Sequence, residues 1–471
     1  MASLATAAKI SEIARPGRNA CVSRAEILSA LSFALDLTEG ARQGHALRSC
    51  LLGMRLADEL RFIPGRMASL YYALLLKDVG CSSNAARLCQ IIGGGDERRV
   101  KAGVKLEDWT RPSRLKASTL RLLWSTVLPE AGIMRRTAGI LRIGLTQHAN
   151  NREMITLRCD RGAHILRKLG LGMIAAEAVR GLDEHWDGSG YPERRTRNEI
   201  LIESRIMVIA QHLDVFATEQ GTVAAMSVLR ERSGRWFDPE LVKLAEMMHR
   251  EGRLWPAALP DTPASETRRA VLDFAPETEA ALAAADIDLI CAAFADVVDA
   301  KSSFTFRHSL GVTDAALGIA RRLGLNAERM QFVNRAALLH DIGKLHVPNS
   351  ILDKPGKLDA EEWRIVREHP GLTREILSHI RQFEELAEIA GAHHEKLDGT
   401  GYPDRRVARE LPLEARIVAV ADVFAALIED RPYRPGLPIE KVIEIMSREI
   451  PHKLDADCFE ALLSSISQLS A

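Results

Sequence analysis

Alternating apolar and polar stretches of the kind a β-strand needs are hard to find anywhere in this chain, which argues against a β architecture. Aromatic residues are scarce, at 5% of 471 positions, while Ala, Leu, Ile, Arg and Glu dominate, a composition that favours helices. Charge of either sign in excess is also missing. Sixty-three basic and 63 acidic side chains cancel, so a non-specific nucleic-acid binder, which carries a basic surplus, is disfavoured. The seven cysteines (Cys21, Cys50, Cys81, Cys89, Cys159, Cys291, Cys458) include no CxxC pair, which excludes a zinc ribbon and a regular disulfide framework and fits a reducing compartment. No apolar run is long enough to span a bilayer, and the N-terminus lacks the apolar core of a secretory signal. The expectation is a soluble, cytoplasmic protein with no membrane segment, too long for one hydrophobic core.

What is present is a repeat. Asp187–Pro192 (DGSGYP) recurs as Asp398–Pro403 (DGTGYP), 211 positions later, and Glu203–Ala210 recurs at the same offset as Glu414–Ala421. Upstream, His45 precedes Asp78 by 33 positions and His308 precedes Asp341 by the same 33, now at an offset of 263. The offsets differ by 52, so the first copy carries about that many extra residues, placed around 82–156. The predicted organisation is a first copy over 20–255, a proline-punctuated linker over 256–270 and a second copy over 271–471. Helical periodicity predicts helices at Leu310–Leu323, Arg329–His340, Ala360–Glu368, Arg374–Gly391, Leu413–Glu429 and Ile439–Glu449. The fold class predicted is all-α, as two tandem helical bundles.

The second copy concentrates metal-binding side chains: His308, the adjacent His340 and Asp341, His369, the adjacent His393 and His394, and Asp422. They fall at the ends or on the faces of successive predicted helices, a layout that suits metal held between facing helices. Imidazole with carboxylate suits Fe, Mn, Zn, Co or Ni rather than an all-oxygen Mg or Ca cage. Each residue alone has a bland reading as a helix end or a surface histidine. His393-His394-Glu395 opening a glycine-rich turn with Asp398 is harder to explain by packing, and the set together favours metal.

Four linked motifs, LHDIGKLHVP at 339–348, ILDKPGKL at 351–358, HHEKLDGTGYP at 393–403 and DRPYR at 430–434, resemble the HD-GYP family of the HD phosphohydrolases. The resemblance covers about 170 residues of the second copy. It implies a helical domain with two divalent metal ions, often iron or manganese, that hydrolyses cyclic di-GMP to the linear dinucleotide or to GMP. Carried over by position, His308, His340, Asp341 and Asp422 would hold one metal. Asp341, His369, His393 and His394 would hold the other, with Asp341 bridging. Lys344 would contact the scissile phosphate, and Tyr402, Arg431 and Arg434 resemble substrate-contacting positions. Members with a third metal carry a Glu where this chain has Phe304, which implies two ions here. Partner proteins such as diguanylate cyclases docking on the GYP loops, and a homodimer, complete the expectations.

In the first copy His45 and Asp78 remain, but Lys77 replaces the HD histidine, Asp183 and Glu184 stand opposite His394 and Glu395, and Gln211 stands opposite Asp422. The expectation is a degenerate copy acting as scaffold or pseudo-dimer partner, with its basic stretch Arg98–Arg121 a solvated face. The rival readings are a non-catalytic nucleotide-binding or protein-interaction module, and a hydrolase for a different cyclic nucleotide.

Overall fold

The computed structural model describes residues 22–108, 110, 117–276, 282–302, 307–430 and 434–469. The described residues form helices joined by turns, with isolated β-bridges and no sheet. The first copy contains α1 (Arg24–Glu39), α2 (His45–Glu59), α3 (Pro64–Leu75), α4 (Ala85–Ile92), α5 (Glu97–Lys105), α6 (Ala117–Thr126), α7 (Ile133–Lys168), α8 (Met173–Arg180), α9 (Ile202–Gln220), α10 (Thr222–Arg232) and α11 (Pro239–Arg250). After α12 (Ala264–Leu272) come α13 (Ala284–Asp299), α14 (His308–Arg322), α15 (Ala327–Leu339), α16 (Asn349–Leu352), α17 (Ala360–Val366), α18 (His369–Ser378), α19 (Glu384–Gly391), α20 (Leu413–Ile428), α21 (Ile439–Ser447) and α22 (Ala456–Leu469).

Local chemistry starts these helices. Ser23 and Glu26 form a capping box on α1, Asn326 accepts from Arg329 N at the head of α15, and Asp359 with Glu362 boxes α17. The predicted helix Arg374–Gly391 is two helices, α18 and α19, separated by a short 3-10 turn at Arg381–Phe383. Ile380 and Phe383, at the break, are 1% and 3% exposed and belong to the core. The segment expected as a linker is helical over α12, which packs on α2 and α1, so it is part of the packed body rather than a loose tether.

Repeat geometry is clear at the GYP segments. An isolated bridge joins Asp187 to Thr196 and another joins Asp398 to Val407. Glu184 accepts from the Glu193 and Arg195 amides, and Glu395 accepts from Asp404 and Arg406 in the same way. Glu395, beside the His393–His394 pair, braces the loop through these bonds, and Asp398 accepts from Thr400 N.

The two copies share one apolar core. Helix α1 packs against the Ile342–His346 turn and α18 of the second copy. Arg268 of α12 donates to Glu26 O and Ser29 Oγ of α1 and to His379 O of α18. From α5, buried Glu97 accepts from Asn349 N and lies 3.9 Å from Lys301 Nζ. Burial pushes the Lys301 ammonium down to about 7 from its usual 10.5, against the pull of Glu97. The folded state thus binds this proton more weakly than the unfolded chain, so stability rises as pH is raised from about 7 toward about 10. In urea titrations at the two ends of that window, the wild type should gain on Lys301→Met as pH rises. An unchanged difference would contradict it.

Candidate metal centre

Four helix ends and one helix face converge in the second copy. His308 is the first residue of α14 and His369 the first of α18, while His340 follows α15 and the His393–His394 pair follows α19. Asp422 projects from within α20. The α15 and α19 ends present the partial negative charge of helix C-termini, which favours a cation between them. Gly343 is required where the His340–Asp341 turn meets α18, because a Cβ there would lie 2.1 Å from His369 O. Thr373 ties the two by donating to His340 O at 2.8 Å and accepting from Gly343 N at 3.1 Å.

All seven predicted ligands are brought together, and all but His394 are buried. Asp341 sits at the middle. Its Oδ2 lies 3.7 Å from His308 Nε2 and 3.3 Å from His340 Nε2, while its Oδ1 lies 3.4 Å from His369 Nε2 and 3.6 Å from His393 Nε2. Asp422 faces both sets, with Oδ1 at 3.3 Å from His308 Nε2 and Oδ2 at 3.7 Å from His394 Nδ1.

The far side of four rings is fixed. Nδ1 of His340, His369 and His393 meets the carbonyls of Ala337, Val366 and Ala390 at 2.6–2.7 Å, and His308 Nδ1 meets Glu429 Oε2 at 2.8 Å. With the Nδ1 proton donated outward, each Nε2 lone pair points inward, as a metal-ligating histidine requires. His369 Nε2 and His393 Nε2 then face each other at 3.1 Å, an arrangement that a shared proton or a metal ion bound by both would satisfy. His308 Nε2, His340 Nε2 and Asp341 Oδ1 are buried without a hydrogen-bond partner. A divalent cation with nitrogen and oxygen preference fits this set.

Electrostatics point the same way. Burial, reinforced by His340 and His369, pushes His393 down to about 3, so it is a neutral donor. Burial opposes the charge on Asp341, but His340 and Lys344 outweigh it and hold the carboxyl well below its usual range. His308 is the exception: burial would lower it, yet Asp422 and Glu429 raise it to about 9, so without a metal it holds a proton there.

Lys344 donates to Asp341 Oδ2 from three residues along. The Tyr402 ring packs on His394 with centroids 4.8 Å apart, and the Arg367 guanidinium lies 5.5 Å from the Tyr402 centroid. Arg434 is elsewhere engaged: it donates to Ala426 O and Leu427 O, closing the last turn of α20. Arg431 and Phe304, with the two-ion argument built on it, lie outside the described residues. Sequence reasoning missed Glu429, Thr373 and Arg367. Glu429 alone had a signal, standing directly before the DRPYR motif.

The first copy holds cations of its own. His45 Nδ1 lies 2.6 Å from Asp214 Oδ2, and Arg48 Nε 2.5 Å from Asp214 Oδ1, so Asp214 rather than Gln211 meets the first histidine. Lys77 pairs with Asp78. Lys105 Nζ, from α5, lies 2.7 Å from Glu39 and 3.9 Å from Asp78, and Lys101 lies 3.3 Å from Glu39. Lys101 and Lys105 of the basic stretch are therefore not solvated: they insert where the second copy gathers metal ligands, while Arg99 and Arg121 are exposed and 111–116 lie outside the described residues.

A family profile described as HD domain matches residues 140–241 and 292–458. Across 451 residues the chain is 39% identical to the 3'3'-cGAMP-specific phosphodiesterase 3 of Vibrio cholerae serotype O1, covering 94% of this chain and 95% of that one. The chain belongs to the HD-GYP type of the HD family. Among other HD-GYP relatives, the cyclic di-GMP phosphodiesterase response regulator RpfG of Xanthomonas campestris is 42% identical over 153 residues, 32% of this chain and 40% of that one. The crystal structure of a cyclic GMP-AMP-specific phosphodiesterase of V. cholerae superposes with a TM-score of 0.65 at 35% identity, covering 95% of this chain and 98% of that one. The all-α HD fold and a phosphodiesterase of this metal-dependent family follow for this protein. No described helix is long and apolar enough to cross a membrane.

Proposed function

We propose that the second copy binds two divalent cations, iron or manganese first among the candidates, and hydrolyses a 3'3'-cyclic dinucleotide to its linear form, with 3'3'-cGAMP preferred over cyclic di-GMP. The observation that carries the two-cation reading is the division of Asp341, one oxygen toward His308 and His340 and the other toward His369 and His393. Asp422 completes the first set and His394 the second. Bound there, divalent cations supply Lewis acidity toward phosphate oxygens and lower the pKa of water to near neutrality. Lys344 puts an ammonium beside Asp341, where negative charge builds on the phosphate as the ribose 3'-oxygen departs. Tyr402 offers a ring face, and Arg367 a planar cation, to a guanine or a phosphate entering over His394.

For the substrate, the support is that a relative named for 3'3'-cGAMP matches both copies over 94% of the chain, whereas RpfG matches 32%. Cyclic di-GMP remains the second reading, favoured by the 42% identity with RpfG over 153 residues. The test loads the full chain with manganese or iron and follows 3'3'-cGAMP, cyclic di-GMP and cyclic di-AMP by chromatography. 3'3'-cGAMP should be cleaved with the highest kcat/KM, about tenfold above cyclic di-GMP, roughly one kcal/mol or more of transition-state discrimination. Faster cleavage of cyclic di-GMP would reverse the order, and binding without cleavage of any would overturn the enzymatic reading.

A further inference from the structure

The insertion in the first copy builds a cavity of about 360 Å³, a size in the range that small-molecule sites occupy. It lies between α4, α5, α6 and α7 and the relic of the catalytic cleft. Leu88, Ile92, Val104, Leu123, Ile143 and Met154 give it aliphatic walls, with Leu88 and Ile92 part of a second apolar cluster separate from the main core. Its floor includes Asp183 and Gln211, the residues that stand opposite His394 and Asp422 of the second copy. In the first copy the space in front of the lost metal centre is thus roofed by hydrocarbon.

Charge at the floor is already neutralised. Arg158 pairs with Asp183, and Lys101 and Lys105 both pair with Glu39. A phosphate or carboxylate entering here would have to compete for these cations while losing its water, which disfavours an anionic dinucleotide. Among the buried atoms of lining residues without a hydrogen-bond partner are the amide oxygens Gln211 Oε1 and Asn84 Oδ1, on side chains 4% and 5% exposed. Unsatisfied acceptors in a mostly apolar chamber call for a ligand that brings a donor.

We propose that this cavity is a binding site for a neutral, mostly apolar small molecule carrying an N–H or O–H donor. Helix α5 lines it with Val100 and Val104 and, at its other end, holds Glu97 on Asn349 N and Arg98 on His346 O. An occupant therefore touches the helix that braces the turn bearing Lys344. The binding claim stands independently of the hydrolytic reading.

The probe is N-phenyl-1-naphthylamine, a neutral aromatic with one N–H, whose fluorescence rises in apolar surroundings. The full chain should bind it saturably, one per chain, and hydrogen exchange should slow in α4–α7 on binding. Gly144 lines the cavity, and a Cβ there would meet no atom within 4 Å. Gly144→Phe should weaken binding about tenfold, Gly144→Ala should leave it intact, and Gln211→Leu should weaken it about fivefold. Ile143→Trp is the second filling variant, used if Gly144→Phe lowers the unfolding midpoint. The proposal is overturned by absent saturation, by protection that falls on other helices, or by binding that both filling variants leave unchanged.

Discussion

Asp341→Ala should lower kcat for cyclic dinucleotide hydrolysis by at least about a thousandfold, roughly 4 kcal/mol of lost transition-state stabilisation. The size of the effect follows from position. Asp422 also reaches both sides, near His308 and His394, but Asp341 stands between His308 and His340 on one side and His369 and His393 on the other. Its loss leaves the converging imidazole nitrogens with Asp422 but without the carboxylate between the two histidine pairs, so metal content measured by elemental analysis should fall with activity. Asp341→Asn separates charge from shape. It keeps an oxygen for one side only, and should retain one cation per chain while losing most activity. Full metal content in Asp341→Ala would show that the carboxylate does not hold the ions. Full activity would remove Asp341 from the mechanism.

Lys105→Met should reduce stability by about 3 kcal/mol, the cost of leaving a buried carboxylate with an incomplete partner set. Lys105 reaches from α5 to Glu39, 1% exposed, at 2.7 Å and lies 3.9 Å from Asp78. Burial opposes the charge of Glu39, but Lys105 and Lys101 hold its carboxyl well below the usual range. Methionine preserves most of the side-chain volume, so the loss measures charge rather than packing. Denaturant titration reads the fall, and elemental analysis provides a second measurement. The metal content of the variant should equal that of the wild type, because Lys77 still pairs with Asp78. No change in stability would contradict the view that ammonium groups replaced metal in this copy, and a new metal ion per chain would show that Lys77 alone does not keep one out.

The contrast between the copies shows what kind of information a sequence carries openly. His340 with Asp341 and His393 with His394 are neighbours in the chain, and His308, His369 and Asp422 lie at helix positions that periodicity locates. Such a set is readable because each element delivers its ligand locally. Lys105 is 27 residues from Asp78 and 66 from Glu39, within an insertion, so nothing short-range ties it to the relic site. The basic stretch read as a solvated face for the same reason. Arg434 shows the converse. Its place in a motif pointed to substrate, whereas the carbonyls ending α20 lie within reach of its donors.

The sequence by itself determined the helical class, and it carried the repeat and the seven side chains that the structure brings together. These rest on periodicity, on spacing and on residue chemistry, all of which act along the chain. Tertiary structure alone decided which oxygen of Asp341 faces which histidines, that Glu395 braces the GYP loop, that the expected linker folds as α12 against both copies, and that the insertion roofs a cavity. Those outcomes depend on which surfaces of distant helices pack together, and burial then sets the charge state of every group caught between them.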